Sequence, residues 1–194
     1  TYQRENQELK RLLQLKEATP GELVSAVVTQ KDFSEFFRVT RIVLDRGSRE
    51  LSENLPVIAP DGVVGKIVSV DGDTATVMLA VDVQFGVDVE DARTRARGFV
   101  RGTGDPSRYS CKVEMMQAGD EVEEGDLLVT SGKGKWFPQG IPVAKVTKVK
   151  QRERGREQEV EAVPTVNFSR LDSVLVLVKP PVQAPVPAAS ARGK

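Results

Sequence analysis

Residues 130–146 read TSGKGKWFPQGIPVAKV, and the first six are spaced almost like a loop that cradles a phosphate. Such a loop needs Lys followed by Ser or Thr at the start of a helix, so that backbone N–H groups and the helix dipole aim at the anion. Here Lys133 is followed by Gly134 and Lys135 by Trp136, and Phe137, Pro138, Gly140 and Pro142 would break a helix in its first turns. The stretch reads as a rigid β corner, without a nucleotide site.

Outward from that corner the same texture continues. From Pro20 onwards β-branched runs alternate with Gly, Pro, Asp and Asn turns: LVSAVVTQ, FRVTRIVLD, LPVIAP, VVGKIVSV, TATVMLAV, FGVDVE, ARGFVRG, RYSCKVEMM, DLLVTSG, IPVAKVTKVK, EVEAVPTV and SVLVLV. Short strands at this spacing, with hairpin signals such as Asp71-Gly72, indicate a mainly β chain of barrels or sandwiches. Two stretches echo each other in plan, SENLPVIAPDGVVGKIVSV from Ser52 and VEEGDLLVTSGKGKWFPQGIPVAKVTKV from Val122, with Lys66 and Lys145 in matching places. The echo points to two related β units. KVKQRERGREQEVEA, with acids and bases interleaved around Gly155, reads as the solvated tip of a long hairpin joining Val146 and Val149 to Val160 and Val163.

The first eighteen residues differ. TYQRENQELKRLLQLKEA is built from helix formers and has no Gly or Pro before Pro20, which predicts a helix over about residues 1–18. Tyr2, Asn6, Leu9, Leu13 and Lys16 repeat at alternating spacings of four and three, one seam of a heptad, although a second seam through Leu12 and packing on the chain's own domain remain open. At the other end, KPPVQAPVPAASARGK has no periodic apolar face and reads as extended or disordered chain.

Composition narrows the chemistry. Twenty-eight basic and twenty-eight acidic residues cancel, so nothing in the overall balance draws the chain to nucleic acid. Histidine is absent, which removes the usual general base from Ser131, Ser169 and Ser173 and the commonest metal ligand from any site. Cys111 alternates with strand residues as a small core side chain does. The acidic turn of Asp120, Glu121, Glu123, Glu124 and Asp126 lacks calcium-loop spacing, so neither a metal nor a cofactor is expected. What stands out is DFSEFFRVT, where Phe33, Phe36 and Phe37 sit among charges, either capping a barrel mouth or forming a contact patch for another protein.

Several motifs in order carry a resemblance: ENQELKRLL, FRVTRIVLDRGSRELSENLPVIAPDGVVGKIVSV, ARGFVRGTGD, VEEGDLLVTSG followed by FPQGIPV, and FSRLDSVLVL. Together they make the sequence similar to the extracytoplasmic part of the MreC cell-shape family of bacteria, from Glu5 to Val178. It departs at Ala144, where the family tends to have Gly, and at Lys133 and Lys135 in the corner. The resemblance implies the end of a dimerising coiled coil (residues 1–18, with Tyr2, Asn6, Leu9 and Leu13 in the seam) and a Pro-rich tail (180–194). Between them it implies two small β-barrels, 19–105 and 106–179, with a return of the last strand to the first left open. It implies a bitopic inner-membrane protein with its anchor before Thr1 and this fragment in the periplasm. It also implies a non-catalytic scaffold of the cell-elongation complex, self-associating as a homodimer or filament. Its partners would be the penicillin-binding transpeptidase, MreD, RodZ, RodA and the MreB system, with Phe33, Phe36 and Phe37 as partner-binding residues. The competing reading is a cryptic serine hydrolase on a double β-barrel.

Overall fold

The computed structural model of the chain describes residues 2–117, 119–151 and 158–180. The expected hairpin tip around Gly155 and the Pro-rich tail beyond Pro180 lie outside the described residues. Helix α1 (Tyr2–Ala18) is followed by β1 (Glu22–Phe33), β2 (Val39–Leu44), β3 (Pro56–Ala59), β4 (Gly62–Asp71), β5 (Thr74–Leu79), β6 (Gly86–Asp91), β7 (Arg97–Gly102), β8 (Cys111–Glu114), β9 (Leu127–Thr130), β10 (Pro142–Gln151), β11 (Gln158–Pro164) and β12 (Ser173–Lys179). Each of the twelve segments expected to be a strand is one. No described helix is long and apolar enough to cross a membrane.

The strands close into two antiparallel barrels. The first runs β1-β12-β3-β4-β5-β2 and the second β10-β11-β8-β7-β6-β9. Apolar side chains of alternating strand positions fill both interiors, among them Ile42, Leu44, Ile58, Ile67 and Leu175 in the first and Val89, Leu128 and Val146 in the second. The expected boundary after residue 105 is wrong: β6 and β7 pair with β9 and β8, so the second barrel begins at Gly86. The polar, Gly- and Ser-bearing stretch 102–107 has the composition of a linker but joins two strands of one barrel. The true crossing is the short stretch 80–85, anchored at its two ends by fully buried Ala80 and Phe85. β12 returns to complete the first barrel between β1 and β3. Closure leaves neither barrel with a free sheet edge among the described residues.

The two rings are one design. Reading around each, β3-β4-β5-β2-β1-β12 corresponds to β9-β10-β11-β8-β7-β6, pair for pair. The bulges correspond as well. β4 slips register after Val63 against β3 and after Ile67 against β5, and β10 slips after Pro142 against β9 and after Val146 against β11. Lys66 and Lys145 precede the second slip in each, which accounts for the echo in the sequence. Bulges tighten twist and turn a flat ribbon into a corner, so repeating both gives both barrels the same closure.

The barrels seat directly on each other. A Cβ at Gly62 of β4 would stand 2.2 Å from the carbonyl oxygen of Pro142 in β10, and Gly62 holds φ +140°, so only Gly allows this approach. Gly104 donates its N–H to Val81 O across the junction. Phe168, fully buried in a single 3-10 turn before β12, packs edge-on against Tyr109 of the second barrel at 5.2 Å.

Candidate interaction surfaces

The β1–β2 hairpin carries the three phenylalanines at its tip. Ser34 N–H donates to Arg38 O and Phe37 N–H to Ser34 O, a three-residue loop in which Phe37 takes the left-handed position at φ +56°. That position favours Gly or Asn, and a bulky side chain there pays the clash of its Cβ with the following carbonyl. The tip is fixed from the second barrel. Ser34 Oγ donates to Pro106 O at 2.7 Å, Arg38 Nε to Ser107 O at 3.0 Å, and Tyr109 Oη accepts Val39 N–H at 2.8 Å. The Arg38 guanidinium also lies over the Tyr109 ring at 5.6 Å. The anchoring loop is itself stiffened, since hydrogen bonds from Ser107 and then from Arg108 hold the Asp105 carboxyl down at about 2. Phe33, Phe36 and Phe37 are 56%, 51% and 82% exposed. They do not cap a barrel mouth.

Helix α1 is two-faced. Leu12 is buried and Leu15 half-buried against the first barrel, with Arg11 ion-paired to Asp61 of the β3–β4 turn. Tyr2, Asn6, Leu9 and Leu13 all face outward on the other side. Of the two seams in the sequence, the one through Leu12 packs within the chain, and the Tyr2–Leu13 seam is left open to solvent.

The groups considered for chemistry are placed as follows. Ser131 is buried and accepts the Lys133 N–H, while Ser169 Oγ lies 3.3 Å from Tyr109 Oη and Lys31 Nζ bonds the Ser169 carbonyl rather than its hydroxyl. Cys111 is buried, and that burial pushes its thiol up to about 12, far from a reactive thiolate. Two further features emerge only in the folded chain. One is a carboxyl pair in the second barrel. Fully buried Asp91 accepts the N–H groups of Arg93 and Thr94, and Asp126 accepts Arg93 Nε at 3.0 Å and a second guanidinium nitrogen at 2.7 Å. Burial, with the Asp126 carboxyl nearby, raises Asp91 above its ordinary range, while the Arg93 guanidinium holds Asp126 at about 2. The second is an aromatic cleft walled by the corner at 131–140. Its signal was the chain's single tryptophan, Trp136, directly after the two steps Gly132-Lys133 and Gly134-Lys135.

The sequence pattern of the family described as "Rod shape-determining protein MreC, barrel core" matches residues 28–178. The "Cell shape-determining protein MreC" of Escherichia coli (strain K12) is 32% identical over 180 residues, 91% of this chain and 47% of that protein. The protein of the same description in Haemophilus influenzae is 34% identical over 175 residues, 89% of this chain and 48% of its own. The chain thus spans about half the length of these curated relatives. Among solved structures, one described as "MreC" superposes with a TM-score of 0.81 at 30% identity, covering 91% of this chain and 98% of its own. A "Complex between Penicillin-Binding Protein (PBP2) and MreC from Helicobacter pylori" shares the fold at a TM-score of 0.60 and 16% identity, covering 80% of this chain and 99% of its own. With the pattern spanning both barrels and relatives matched over nine-tenths of its length, this chain belongs to the MreC family of cell shape-determining proteins.

Proposed function

We propose that this chain is a non-catalytic scaffold of the bacterial cell-elongation complex, standing in the periplasm below an inner-membrane anchor. In this reading α1 pairs two copies through Tyr2, Asn6, Leu9 and Leu13, and the barrels carry a rigid apolar tip, Phe33, Phe36 and Phe37, to the penicillin-binding transpeptidase. MreD, RodZ, RodA and the MreB system join through the same assembly. The observation that carries the reading is Phe37. An exposed ring kept in a backbone conformation that suits Gly contributes nothing to folding, and such strain persists where a contact uses it. Membership of the family and the relative solved together with PBP2 support the choice of partner. Docking on the tip would bias the transpeptidase towards whichever of its conformations fits the rings better.

Phe37→Gly separates the role from the fold. Gly relieves a left-handed penalty of roughly 1–2 kcal/mol, so the urea midpoint should rise or stay level. Binding to the transpeptidase should weaken by about tenfold, the scale of a lost buried ring. A stable Phe37→Gly chain that binds with undiminished affinity would remove the tip from the interface.

A further inference from the structure

The corner at residues 131–140 encloses a cleft of about 200 Å³ between the barrels. Its floor is Phe85, fully buried, with Phe137 edge-on to it at 6.4 Å. Phe99 forms one wall and can do so because Gly86 opposes it, where a Cβ would lie 2.4 Å from the ring. Trp136 forms the other, 45% exposed, with Lys135 Nζ 5.0 Å above its ring. Asn54 of the first barrel stands on the rim. The cleft shares no residue with the Phe33–Phe37 tip.

We propose that this cleft receives the chain's own C-terminal segment, residues 181–194, as an extended polyproline-like strand. The first reason is where that segment departs. Val176 of β12 pairs with Val57 of β3, and both strands run from there to the same end of the first barrel, β12 ending at Lys179 and β3 beginning two residues after Asn54. On strand spacing alone the departing chain is within about 10 Å of the cleft rim. Fourteen residues in polyproline form would reach about 43 Å, so the span is no obstacle. The second reason is chemistry. Pro181, Pro185 and Pro187, with Val182 and Val186 between them, make a segment with little conformational freedom to lose, and aromatic-lined grooves are what such segments occupy. The third is tethering, which sets the local concentration in the millimolar range, so a contact of Kd about 1 mM is already half-filled.

Trp136 is the single tryptophan and reports on the cleft directly. Its emission and acrylamide quenching should be compared between the full chain and a chain ending at Pro180. The full chain should emit further to the blue and be quenched about twofold less, and a synthetic peptide of residues 181–194 added to the shortened chain should restore that signal. A full-length triple variant, Pro181→Ala, Pro185→Ala and Pro187→Ala, should move towards the shortened chain while keeping every barrel residue. Equal quenching in all three chains, or no response to several millimolar peptide, would overturn the proposal. So would protection that appears only as the full chain is concentrated, since the segment would then come from a second copy.

Discussion

The two barrels share a backbone and differ in what they bury at one matching pair of positions. Leu55 O accepts Ile67 N–H in the first barrel and Asp126 O accepts Val146 N–H in the second. The residues before them, Asn54 and Gly125, both take left-handed φ and donate to the same two strand residues. Across the ladder, Val176 pairs with Val57 as Asp91 pairs with Leu128. Where the first barrel buries Leu55 and Val176, the second therefore holds Asp126 and Asp91 with Arg93 clamped on the former. The corners differ too. The two-residue turn Pro60–Asp61 of the first becomes the eleven residues 131–141 of the second. Ring order and bulges fix the closure, and side chains at matched positions are then free to be an apolar plug or a titrating cluster.

Exchanging the two chemistries is the harshest way to break this comparison. Leu55→Asp places a carboxylate in a buried position that lacks the arginine of the second barrel, and an uncompensated buried charge costs about 3–5 kcal/mol. Urea unfolding at pH 7 should show a loss of that size. A loss below about 1 kcal/mol would mean that water reaches Leu55 and that the two positions are not matched in burial.

The next effect concerns acid. Asp126 sits at about 2 in the folded chain against 3.8 ordinarily, so the stability it contributes is present above pH 4 and is lost as the pH falls through 2. The shift is worth up to about 2 kcal/mol at neutral pH. Asp126→Asn should be less stable than the parent by that amount at pH 7, and the two unfolding curves should converge towards pH 2. A gap that stays constant over this range would show that the charge of Asp126 plays no part. The first barrel, with Leu55 in this place, has nothing there to titrate.

Periodicity explains how much of this was legible in the sequence. The strands could be read because each is a short β-branched run bounded by turn residues, and the matched bulges surfaced as the echo around Lys66 and Lys145. The barrel boundary was not legible, because the short crossing between the barrels is pinned at both ends by buried apolar residues, Ala80 and Phe85, while a loop within one barrel is polar. DFSEFFRVT announced an unusual surface, but only the hydrogen bonds of Ser34, Arg38 and Tyr109 show it to be held rigid from the other barrel. Asp91 and Asp126 lie thirty-five positions apart, and nothing local to either marks them as neighbours.

Asp91 gives the smallest effect and the sharpest sign. Its Oδ1 accepts two backbone N–H groups, which an asparagine oxygen in the same place can also accept, so Asp91→Asn keeps the turn. Its Oδ2 has no partner among the described residues, and burial raises the carboxyl above 3.8. A raised folded value favours folding in acid and is lost as the pH climbs, because the unfolded chain ionises first. Relative to the parent, Asp91→Asn should therefore gain stability steadily as the pH rises from 4 towards 7. That slope is opposite to the one expected for Asp126→Asn. If Asp91→Asn were the less stable chain at pH 7, the fold would favour the ionised form of Asp91, held by Arg93 together with Asp126, and burial would not be the dominant influence on its carboxyl.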